Sequence, residues 1–90
     1  MDEITLGKKQ AKGAAAEALL NNELLQQSFK ALHDEYIENW KITHFKNVEG
    51  RERLWQAIQI IGKVEDHLKK MVSDGKIATR DLSQIKYLKR

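Results

Sequence analysis

Proline and cysteine are both absent from this chain, and glycine occurs only five times in 90 residues. Without proline, nothing in the covalent structure forces a helix to kink or stop. Without cysteine there are no disulfides and no thiolate metal site, which suits a reducing cytoplasm. No run of about 18 apolar residues exists, so no membrane-spanning helix is expected. Lys8, Lys9 and Lys12 interrupt the region where a signal peptide would need its apolar core, so a cytoplasmic location is expected. Alternation of apolar and polar residues never persists beyond a few positions, which leaves little room for strands.

What the chain does hold favours helix. Hydrophobic residues make up 41% and charged residues 32%, and Ala, Leu, Lys, Glu, Gln and Ile are abundant. The net charge of +3 is unevenly spread: residues 76–90 carry five basic against one acidic side chain, while residues 22–50 carry three against five. The basicity is a C-terminal feature.

Taken in order, residues 1–21 read as a flexible arm followed by a short helix over about 11–20, because Gly7 and Gly13 would each cost about 1 kcal/mol inside a helix. Asn21 and Asn22 suit a stop and a cap. A helix is expected over 23–42, with Leu25, Phe29, Leu32, Tyr36 and Trp40 at spacings of four, three, four and four. Residues 43–47 make a short connection that implies antiparallel neighbours, and Asn47 is placed to cap the next helix. That helix is expected over 48–74, on a stripe of Leu54, Ile58, Ile61, Val64 or Glu65, Leu68, and Met71 or Val72. Gly75 reads as its stop. Beyond it, Ile77, Leu82, Ile85 and Leu88 suggest a short amphipathic helix among basic residues from about Thr79 onward, which could fold back on the preceding helix, continue it past Gly75 or dock on a partner.

The expected fold is therefore all-α: an antiparallel two-helix hairpin over 22–75 with short flanking helices, 76–90 being a basic tail helix. Chains with about 65 usable residues rarely retain more than about 3–5 kcal/mol of stability. Self-association into a helical bundle is the expected remedy.

The search for chemistry returns little. His33, His44 and His67 show neither His-Glu-x-x-His nor Glu-x-x-His spacing, so zincin and di-iron helices are excluded. Glu35 with Glu38, and Glu65 with Asp66, have no evident pocket for acid–base work. No P-loop and no nucleophile elbow occurs. An enzyme is not expected, and no cofactor is implied.

Two kinds of surface remain. Trp40 and Trp55 flank the connection and either close the core there with Phe45 or offer an anchor to a partner. Gly62, costly in mid-helix, suggests a close crossing, with Trp55 as the bulk needing room. Trp55, Ile60, Gly62 and Trp40 are thus the candidate interface residues, the first three read as a second apolar face of the 48–74 helix that meets another subunit. Arg51, Lys69, Lys70, Lys86, Lys89 and Arg90 are candidate nucleic-acid contacts, suited to weak, sequence-independent neutralisation of phosphates. No helix-turn-helix pattern accompanies them.

The run Glu49-Gly50-Arg51-Glu52-Arg53-Leu54-Trp55, followed by Val64, His67-Leu68 and Gly75-Lys76, resembles a group of small helical proteins encoded by bacteriophages and prophages. Asn22, Leu25, Phe29, Tyr36 and Trp40 fit the first part of that pattern, and the resemblance covers about residues 19–82. It implies a phage product from the head-assembly and DNA-packaging part of a genome, partnered by itself or by other phage structural proteins and present in the host cytoplasm or the virion. Within the run, Arg51 and Arg53 point about 200° apart around a helix. One of them is expected to reach back to the preceding helix, for instance to Glu38. A small nucleic-acid-binding accessory protein, terminase-like or regulatory, is the alternative.

Overall fold

The computed structural model describes residues 2–88, and these form three α-helices with no strand among them: α1 (Glu3–Leu20), α2 (Glu23–Ile42) and α3 (Val48–Leu88). Each start is set by a side-chain cap. The Asp2 carboxylate accepts from Thr5 N–H at 2.7 Å, Asn22 Oδ1 from Leu25 N–H at 2.9 Å, and Asn47 Oδ1 from Gly50 N–H at 3.0 Å. Each bond satisfies an amide left without an intrahelical partner.

α2 runs over the residues its stripe and caps predict. The other two helices differ from expectation. α1 is not a short helix after a flexible arm; it has 18 residues and starts at Glu3. α3 does not stop at Gly75 but continues to Leu88 as one helix of 41 residues. The basic tail is thus the end of α3 rather than a separate element. No described residue has a positive φ, so Gly75 adopts no left-handed cap conformation.

The chain divides into two compact units. One joins residues 1–21 to 67–90, the other comprises residues 22–66. α3 therefore serves α2 with its first half and α1 with its second.

In the first unit, α1 runs antiparallel to the end of α3. Gly13 meets Gly75, and Gln10 Nε2 donates to Thr79 Oγ1 at 3.0 Å. The α1 residues turned inward are Leu6, Lys9, Gly13, Ala16 and Leu20, at spacings of three, four, three and four. That is a heptad-like seam built on small residues. A Cβ added at Gly13 would lie 2.7 Å from the Gly75 Cα, and one added at Gly75 would lie 2.8 Å from the Gly13 Cα. Both partners are backbone, so this crossing requires glycine on both helices. The buried apolar residues of the described chain are Leu6, Ala16 and Ala78, and all three belong to this unit.

In the second unit, α2 and the start of α3 are joined by the five-residue connection 43–47. Among the half-buried residues of α3, Leu54, Ile58, Ile61 and Glu65 line this unit, and the same series passes through Leu68 and Val72 of the first unit to the buried Gly75. The spacing of four and three holds along the whole run, the 3.5-residue repeat of a supercoiled seam. Glu65 takes the position that Val64 would have filled, and Val64 is exposed. From 22 to 66 not one residue is buried.

Candidate functional site: the exposed aromatic end of the α2–α3 pair

Where α2 gives way to α3, the chain places an arginine among aromatics. Arg51 lies one turn into α3, and its Nη1 donates to the Thr43 carbonyl at 2.9 Å and the Trp40 carbonyl at 3.1 Å. The same guanidinium lies over the Trp40 ring, 4.1 Å from its centroid. The last carbonyls of a helix have no intrahelical donor and carry the negative end of its dipole. A planar cation with several N–H groups serves both needs and stacks on the ring as well.

The arginine that reaches back is thus Arg51, and its target is the end of α2 rather than the Glu38 carboxylate. Glu38 pairs with Lys41 at 3.1 Å on its own helix. Arg53, on another face, pairs with Glu49 at 2.6 Å. The Gly50 position fits the same end: a Cβ there would lie 2.7 Å from the Asn47 side chain and displace the cap.

Around this clasp lies an open recess lined by Trp40, Phe45, Val48, Arg51, Glu52 and Trp55. Its apolar members are not a sealed core. Phe45 is 73% exposed, Val48 70%, Trp55 51% and Trp40 36%. The His44 ring stacks on Phe45 at 4.6 Å, and its Nδ1 accepts from the Lys46 N–H, which fixes the connection around it.

The four candidate interface residues are all exposed but do not share one face. Trp55 and Gly62 are one heptad apart and fall on the same flank of α3, while Ile60 lies about 140° from Trp55 around the helix. Trp40 stands across the recess on α2. Gly62 faces open space, since a Cβ there would meet nothing within 4 Å. It is no crossing point inside the chain; the tight crossing is at Gly13 and Gly75.

Of the candidate nucleic-acid residues, Arg51 is committed to the clasp. Lys70 lies 3.5 Å from Asp74, and Lys69 and Lys86 are exposed. Lys89 and Arg90 lie outside the described residues. The unit formed by α1 and the end of α3 carries ten basic against five acidic residues, the other unit six against eight. One groove combines Lys9 with Asp74 and Asp81, the other Glu17 with Lys76.

Among the described residues no group of three or more His, Asp or Glu side chains is placed to hold a metal ion, and no helix is long and apolar enough to cross a membrane. His33 stands 3.6 Å from its neighbour Asp34, and His67 is exposed. No protein-family model matches the chain, and no curated protein or solved structure matches it significantly.

Proposed function

We propose that this is a non-catalytic helical protein that self-associates and acts through protein–protein contacts, in the assembly of a phage virion or the packaging of its DNA. One observation carries the self-association: the unit of residues 22–66 contains no buried residue, yet it exposes Trp40, Phe45, Val48, Trp55 and Ile60. A two-helix unit of that kind leaves its apolar surface in water unless another chain covers it. The hairpin completed by oligomerisation into a helical bundle follows from this. The phage setting, the host cytoplasm or virion as location, and other phage structural or packaging proteins as further partners rest on the resemblance of the Glu49–Trp55 run.

The nucleic-acid reading draws on the excess of basic residues in the α1–α3 unit. Two grooves of that unit are lined by residues of both charge signs, which favours a continuous track for phosphates less than a uniformly basic surface would. Sedimentation of the full chain, alone and with duplex DNA at low and high salt, tests both readings. The proposal expects a multiple of 10.4 kDa without DNA. A strict monomer would remove it, and DNA binding that weakens steeply with salt would put the alternative in its place.

A further inference from the structure

We infer that the α3 flank bearing Val48, Trp55 and Gly62 is a two-fold interface with a second copy of this chain, Trp55 of each copy filling the space over Gly62 of the other. The inference rests on the self-association proposed above and specifies its geometry.

Three observations point to a second copy rather than a different partner. First, bulk and vacancy occur on the same flank, one heptad apart: Trp55 is 51% exposed and Gly62 faces open space. In a two-fold contact the same patch meets itself, with residue i against j and j against i. A large side chain and an empty position seven residues apart therefore satisfy one another twice. Second, antiparallel α3 helices in that register cross beside Gln59, which lies between Trp55 and Gly62 and faces the same flank. Third, the register brings Glu52 towards Lys63 of the partner subunit, twice across the axis. Both side chains are exposed, and neither has an ion-pair partner among the described residues of its own chain. Val48 at 70% exposure extends the contact outwards. Its continuation across the aromatic recess would give the four-helix cross-section that α2 and α3 lack alone.

Only tryptophan-sized bulk needs the vacancy, so filling it should break the contact without harming the chain's own packing. Gly62→Leu adds a side chain where nothing in the same chain lies within 4 Å, in a helix that loses a glycine and gains a better helix former.

The absence of cysteine allows a direct test. Gln59→Cys places one thiol beside the axis, and Arg53→Cys places one about 120° away around the helix. Facing Cα atoms near such an axis fall within the span a disulfide can bridge. Each variant is incubated at equal concentration with oxidised glutathione, which takes up two electrons and two protons for every disulfide formed. Mass is read under denaturing conditions, and the masses of wild type, Trp55→Ala and Gly62→Leu are read by sedimentation. The expected result is a covalent dimer for Gln59→Cys formed at least about tenfold faster than for Arg53→Cys, with both substitutions on the flank lowering the native mass. A wild-type oligomer whose mass survives both substitutions, with no preference for Gln59→Cys, would overturn the inference and leave self-association standing through another face. A wild-type monomer would overturn both and leave the recess to a different protein.

Discussion

At the scale of single residues, the arrangement around Arg51 is the most informative. Its guanidinium bonds two carbonyls at the end of α2 and covers Trp40, so it joins two helices with no acidic partner. Replacing it with alanine should cost about 1–2 kcal/mol, the sum of a charged hydrogen bond and an exposed cation–π contact discounted for solvent. Arg51→Lys should recover less than half of that, because a lysine lacks the planar fork. Thermal denaturation would show this as a fall of several degrees, and an unchanged midpoint for Arg51→Ala would contradict the clasp. The cap of α1 offers a pH test. The Thr5 backbone N–H donating to Asp2 is the main cause holding that carboxyl below its ordinary value of 3.8. A carboxylate with a depressed folded pKa contributes its stability above the unfolded value and loses it as pH falls through the folded one. The first turn of α1 should therefore stay intact to about pH 4 and fray below it, as read from the NMR shifts of residues 3–6. Asp2→Asn should keep the cap and abolish that titration.

At the scale of elements, the two glycines of the α1–α3 crossing behave differently from the rest. Gly13→Ala would place a methyl 2.7 Å from the Gly75 Cα and 2.9 Å from the Met71 carbonyl oxygen. The helices must separate, at about 1–3 kcal/mol, which exceeds the roughly 1 kcal/mol that alanine returns in helix propensity. Gly7→Ala in the same helix meets nothing within 4 Å and should raise stability by up to about 1 kcal/mol. Opposite shifts in the denaturation midpoint are the expected outcome, and a stabilising Gly13→Ala would disprove the close crossing. The same pair explains what the sequence left hidden. α2 was legible because its stripe and its Asn22 cap agree. α1 begins earlier than its sequence suggests because Gly7 and Gly13 read only as losses of helix propensity. Gly75, between Asp74 and Lys76, reads as a helix end until its partner far away in the chain is known. Only the seam spacing through Leu6, Lys9, Gly13, Ala16 and Leu20 could have revealed the helix, and two of those positions are not apolar. At the aromatic end, Trp40 and Trp55 were recognisable as candidate anchors. Grouping Ile60 with Trp55 overlooked five residues of helical rotation.

At the scale of the whole molecule, buried and exposed apolar surface are unevenly shared. The unit of α1 and the end of α3 buries Leu6, Ala16 and Ala78 around two glycines. The unit of α2 and the start of α3 buries nothing and exposes its aromatics. The first is held by close backbone approach, whereas the second has half-buried seams and a clasp, and its hydrophobic stabilisation is incomplete. Completion by other copies, as proposed, would make stability depend on concentration, since mass action favours a folded state that is also an associated state. Thermal unfolding of the full chain, recorded across a hundredfold range of protein concentration, tests this most directly. The midpoint should rise steadily with concentration, and Gly62→Leu should flatten that dependence. A single cooperative midpoint that stays fixed across the whole range would show a self-sufficient monomer and contradict the account.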